Sequence, residues 1–213
     1  MPDRASKARR PVGFDLDMTL IDSRPQVLDS FRAVSTETGV AIDIDEIDRR
    51  LGLKLEDELA NWFDASAVAG AAEVFRRHYL LIASVSTVAL PGARAALATV
   101  RSAGASSVVI TAKHASSVGP CLAAAGLHAD EVYSFVHGPE KADVLRRIGA
   151  EVYLGDTPAD MNAARSAGVF AIGVATGSFT EAELLRAGAS TTLATLEAFP
   201  SCYDSWLEPR RPA

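Results

Sequence analysis

The chain has 213 residues, 48% of them hydrophobic and 23% charged, enough for one well-buried domain with a smaller one beside it. A formal net charge of −6 argues against nucleic acid or an anionic membrane surface as the main partner, and no apolar run reaches the length of a membrane-spanning helix. The two cysteines, Cys121 and Cys202, stand far apart without ligand spacing, which excludes a disulfide framework and a cysteine zinc site.

Met1 to Arg10 is basic and polar, with no apolar segment behind its charges. It reads as a solvated tail and not as a secretory signal, so the expected location is cytoplasmic. Val12 to Leu16 is an apolar run that predicts a buried strand, and it leads into Asp15, Asp17 and Thr19. Alternation along a strand sends Asp15 and Asp17 out on the same side. Two carboxylates that close repel each other unless a cation lies between them, and magnesium is the hard ion that suits oxygen ligands. A carboxylate at a strand's carboxyl end can also act as a nucleophile. The alternative, from this string alone, is a polar turn that closes a strand.

From Asp22 to Val88 the periodicity is helical. Helices are predicted over 23–39 and 43–51, around Leu55, Leu59, Trp62 and Phe63, and over 67–84. The insert is too long for a plain crossover and is expected to form its own small domain, giving a core of 1–21 and 89–213 around a helical unit of 22–88. Pro91 then begins a strict alternation. Helices are predicted over 93–103, 116–125, 140–148, 158–167 and 180–186, with strands over 108–110, 131–135, 152–154, 169–174 and 191–193. Such alternation with short connections predicts an α/β fold, a parallel sheet with helices on both faces. Pro209 to Ala213 reads as a loose tail.

Three later segments carry chemistry. Val108–Val109–Ile110–Thr111–Ala112 ends an apolar strand in a hydroxyl near a helix N-terminus, a place suited to a phosphate oxygen. Lys141 opens a helix, where the helix dipole disfavours a cation, so something other than the helix itself is the expected reason for it. Gly155–Asp156–Thr157–Pro158–Ala159–Asp160 follows another apolar strand and supplies two carboxylates one helical turn apart. Alone, each has a plain structural alternative: a turn threonine, a surface lysine, a helix cap.

Taken in order, Asp15-x-Asp17-x-Thr19 with Leu20–Ile21–Asp22–Ser23, then Thr111, Lys141 and Gly155–Asp156 resemble the four motifs of the haloacid dehalogenase-like hydrolases, in particular their phosphoglycolate phosphatase-like members with a helical cap after the first strand. The resemblance covers about Val12 to Val174. It implies a Rossmann-like core and a magnesium-dependent phosphatase acting on a small phosphorylated metabolite: phosphoglycolate-like, a sugar phosphate or a nucleotide. It implies Asp15 as nucleophile and Asp17 as general acid and base. It implies Thr111, Ala112 and Lys141 on the transferring phosphate. Mg2+ would be held by Asp15, the backbone carbonyl of Asp17 and Asp156, with Asp160 supporting or sharing that role. Arg49, Arg50 and Lys54 of the insert are candidate contacts to an anionic substrate, and His114 lies just past Thr111. Two positions depart from the pattern: Met18 stands where relatives usually carry glycine, and Ala142 where many carry proline. A phosphomutase of the same fold and a catalytically inactive binding protein are the alternatives, and the expected assembly is a monomer or homodimer.

Overall fold

The computed structural model describes residues 10–208. The tail expected at Pro209 to Ala213 and all but Arg10 of the one expected at the N-terminus lie outside them. A six-stranded sheet forms the frame. Its strands are β1 (Val12–Phe14), β4 (Ser107–Ile110), β5 (Glu131–Tyr133), β6 (Val152–Gly155), β7 (Phe170–Val174) and β8 (Thr191–Leu193), in the spatial order β5-β4-β1-β6-β7-β8. Every pairing is parallel. Because the chain builds outward from β1 in one direction and then in the other, the crevice at the carboxyl ends of β4, β1 and β6 is the topological switch point where such sheets receive ligands.

Each face of the sheet is covered. On one side Val12, Phe14, Val109, Leu154 and Ile172 pack with α5 (Ala93–Ser102), α6 (Ala115–Ala125) and α10 (Phe199–Leu207). Phe14 is fully buried there, edge-to-face with Phe199 at 5.9 Å. On the other side Val108, Ile110, Tyr153 and Ala171 pack with α7 (Glu140–Ile148), α8 (Pro158–Ala167) and α9 (Glu181–Ala187). Gly13 is needed on this second face. A Cβ there would lie 2.8 Å from the Tyr153 ring, so the missing side chain is what lets that tyrosine lie across β1.

Between β2 (Ile21–Asp22) and β3 (Val88–Ala89) the chain forms α1 (Arg24–Thr38), α2 (Ile44–Arg49), α3 (Leu55–Leu59) and α4 (Ala65–Ser86). Their apolar faces meet in a separate cluster around Phe31, Val34, Ile47 and Leu59. Asp43 caps α2, accepting from the Asp45 and Glu46 amides, as its place before the apolar run predicts. The far end of α4 joins the main core through Tyr79 and Ala83.

Three features depart from expectation. β1 stops at Phe14, two residues earlier than predicted. β2 and β3 pair antiparallel at the neck of the insert, a ladder of two residues per strand and too short to leave a periodic signal. α10 was not anticipated: its N-cap is Ala198, without a side-chain capping bond, and Pro200 in its first turn is the one start signal it carries.

Candidate active site

Four segments meet at the sheet's carboxyl edge. Asp15 follows β1, its amide still bonded to the Leu154 carbonyl at 2.8 Å. Thr111 follows β4, Asp156 follows β6, and Lys141 projects from the first turn of α7; all four residues are buried. One ligand oxygen each from Asp15, Asp156 and Asp160 lies within 4.8 Å of the others. Lys141 Nζ donates to Asp15 Oδ1 and to Asp160 Oδ1, each at 2.7 Å, which explains a lysine in a helix's first turn.

The electrostatics are unbalanced. Three buried carboxylates face one ammonium. Burial pushes the Asp15 carboxyl up to about 7, with Asp160 and Asp17 adding to the push and Lys141 pulling against it. Burial, Asp15 and Asp160 likewise hold Asp156 well above the usual carboxylate range. For Lys141, burial opposes the charge, but Asp15 and Asp160 outweigh it and the pKa rises. A protein that keeps this surplus of oxygen donors in a dry cluster is suited to a hard divalent cation. Asp156 fits that role best, because its one hydrogen bond from a side chain comes from Thr19 Oγ1 at 3.2 Å. Gly177 matters here too: a Cβ on it would sit 2.0 Å from Asp156 Oδ2, so only glycine leaves that oxygen free.

Of the two roles the sequence leaves open to Asp160, supporting or sharing the metal, its hydrogen bonds favour the first. Its Oδ1 accepts from Lys141 and from the Tyr153 hydroxyl at 2.9 Å. Its Oδ2 accepts from the Thr157 hydroxyl at 2.6 Å and the Thr157 amide at 3.2 Å, closing a capping box on α8. Four donors therefore occupy this carboxylate, and what it fixes is the position of Lys141.

Asp17 also departs from simple alternation. Because β1 ends at Phe14, the chain turns before Asp17, and Met18 takes a left-handed conformation with φ 57°. Glycine adopts that conformation freely, whereas it costs a methionine some strain. The Met18 amide bonds the Ile21 carbonyl at 2.9 Å and its carbonyl accepts from the Thr176 hydroxyl, holding the turn. Asp17 thus faces its own cation. Lys113 Nζ lies 2.8 Å from Asp17 Oδ1, as an ion pair not aligned as a hydrogen bond. The same Nζ donates to the Tyr79 hydroxyl at 2.7 Å and sits 4.2 Å from that ring's centroid.

Sequence reasoning missed Lys113, Tyr79 and Tyr153. Lys113 was within reach, two residues past Thr111. Tyr79 lies far off in the insert, and only tertiary packing brings it in. Thr111 Oγ1 accepts from the Lys113 amide at 3.1 Å, leaving its own proton to donate.

The site opens into a cavity of about 420 Å3 roofed by the insert. Arg50 and Lys54 both line it, as do Ala112 and His114, whereas Arg49 is exposed and outside it. The Arg50 guanidinium is already engaged by Glu58, at 2.6 Å, and by Glu46. Lys54 makes no ion pair among the described residues.

The sequence profile of the "Haloacid dehalogenase-like hydrolase" family matches residues 12–174. The chain belongs to that family. No curated protein sequence matches it closely enough to count as a relative. Among solved structures, a haloacid dehalogenase-like family hydrolase from Streptococcus pneumoniae superposes with a TM-score of 0.79 at 21% identity, covering 94% of this chain and 99% of that one. A predicted phosphoglycolate phosphatase from Haemophilus somnus 129pt gives 0.78 at 16% identity, covering 93% and 99%. A provisionally assigned β-phosphoglucomutase from Thermotoga maritima gives 0.71 at 21% identity, covering 92% and 99%. At these identities the three share the haloacid dehalogenase-like fold. No helix among the described residues is long and apolar enough to cross a membrane.

Proposed function

We propose that this protein is a magnesium-dependent phosphatase that hydrolyses a small phosphate monoester through an aspartyl-phosphate on Asp15. The observation that carries the reading is Lys141, bridging Asp15 and Asp160 at 2.7 Å beside Asp156. This is a carboxylate nucleophile held next to a phosphate-binding ammonium, in a donor set that fits a divalent cation.

The Asp15 and Asp156 carboxylates and the Asp17 carbonyl would hold the ion, with Asp160 supporting them through Lys141. When bound, Mg2+ supplies charge neutralisation on the phosphate and on the acids around it. Asp15 attacks phosphorus in line as the bond to the ester oxygen breaks. Lys141 and the Thr111 hydroxyl donate to the equatorial oxygens, joined by the Leu16 and Ala112 amides. Asp17 protonates the leaving oxygen. It then takes a proton from the water that attacks the aspartyl-phosphate, which restores Asp15 and releases phosphate. Lys113 and Tyr79 hold Asp17 in place for both transfers. The helical insert, 22–88, serves as a cap that excludes water and selects the alcohol.

The test is phosphate release from p-nitrophenyl phosphate, expected to need Mg2+ and to stop with EDTA. Asp15→Asn should abolish turnover while circular dichroism stays native; near-normal turnover would refute the nucleophile.

A further inference from the structure

The cavity is large for a two-carbon phosphate. At about 420 Å3 it falls within the range of pockets that hold drug-sized ligands. The charges on its walls are mostly spent. Arg50 is bound by Glu46 and Glu58, Arg76 by Glu56, Lys113 by Asp17, and Lys141 by Asp15 and Asp160. Among the described cations of the cavity, only the exposed Lys54 remains without an acidic partner. A leaving group bearing a carboxylate or a second phosphate would find no free guanidinium there.

The cavity offers aromatic surface instead. Phe135 lines it with its side chain outward: the residue is 54% exposed, unusual for a ring in an ordered loop. His137 meets that ring edge-on at 5.0 Å and 82°, and His114 does so at 5.9 Å and 80°. Phe135 has φ 60°, a left-handed conformation that a bulky residue seldom adopts and that is found where function holds it. Its amide is fixed to the Lys113 carbonyl and that of Val136 to the Thr111 carbonyl, both at 3.0 Å. The ring is thus tied to the same strand end that presents Thr111. Burial and the nearby Lys54 hold the His137 pKa below its ordinary value, which favours the neutral ring.

We propose that the alcohol portion of the substrate carries a flat aromatic or heteroaromatic ring, received at the outer end of the cavity by Phe135 with His137 and His114. The inference rests on the phosphoester-hydrolase reading and narrows its substrate class. Bases and rings stack on exposed aromatic side chains whatever their detailed substitution, so the subsite selects for a ring and not for one named compound.

Two non-hydrolysable analogues decide it: phenylphosphonate, which carries a ring, and phosphonoacetate, which carries a carboxylate. Calorimetric titration of the full chain with Mg2+ should show phenylphosphonate binding at least about tenfold tighter. Phe135→Ala should remove most of that preference and Phe135→Tyr should keep it, with native circular dichroism verified for both. Equal or tighter binding of phosphonoacetate would overturn the inference. So would a preference unchanged in folded Phe135→Ala, or failure of both analogues to bind. Turnover is scored separately. A ring preference without Mg2+-dependent release of phosphate from phenyl phosphate would remove the phosphatase reading and leave the aromatic subsite standing.

Discussion

In the proposed site metal and proton compete for the same carboxylates, and the competition sets a measurable dependence of stability on pH. Without a cation, Asp15 titrates at about 7 in the folded chain against 3.8 for an unperturbed aspartate. The raised value means that the folded state holds its proton more tightly than the unfolded one. The associated stability is complete below the unfolded pKa and is lost as pH rises through the folded one. Of the shift of about 3 units, about 1.5 units lie above pH 5.5, which corresponds to about 2 kcal/mol at most, and relaxation of a buried site reduces it to about half. For a chain of this size each kcal/mol moves the melting temperature by about 2–4 °C. Metal-free protein should therefore melt about 2–4 °C lower at pH 8 than at pH 5.5. Mg2+ at millimolar concentration should restore most of that loss at pH 8 and do little at pH 5.5, where protons hold the oxygens. Differential scanning calorimetry in EDTA and in MgCl2 at the two pH values measures both effects, and Asp156→Asn should flatten both. Equal Mg2+ stabilisation at the two pH values, or a metal-free protein more stable at pH 8, would refute the account of the cluster.

Other outcomes follow from single side chains. Asp160→Asn removes a charge from Lys141 and weakens the α8 capping box; it should lower kcat at least tenfold and cost about 1–2 kcal/mol in urea unfolding, and a near-wild-type kcat would contradict its hold on Lys141. Gly177→Ala places a methyl against Asp156 Oδ2 and should weaken Mg2+ binding at least tenfold by calorimetry, with the melting temperature in EDTA changed far less. Lys113→Met frees Asp17 and should lower kcat more than it raises KM for p-nitrophenyl phosphate. Lys113→Arg should recover part of the loss, and a change confined to KM would contradict the positioning role.

The parallel core was legible because its strands are short apolar runs closed by turn residues and its helices end in glycines. Gly126, Gly149 and Gly168 all take left-handed C-cap positions. Asp15, Thr111, Lys141 and Asp156 could be found because each closes a strand or opens a helix, where sequence pattern fixes direction. Asp17 was harder: its orientation depends on where β1 stops, and one residue of difference reverses a strand's faces. Tyr79 reaches the site from the middle of a helix whose own apolar stripe accounts for it fully, so nothing local sets it apart. Arg50 looked available although Glu46, one helical turn before it, is a local partner; the second acid, Glu58 on α3, reaches it only through folding.

Asp160 has two employers. The same four-donor carboxylate that starts α8 also aims the ammonium of α7, so neither helix can be redesigned without disturbing the other's contribution to chemistry. It follows that catalytic competence should emerge late in refolding, once both helices have docked, and never in a fragment that ends before residue 160.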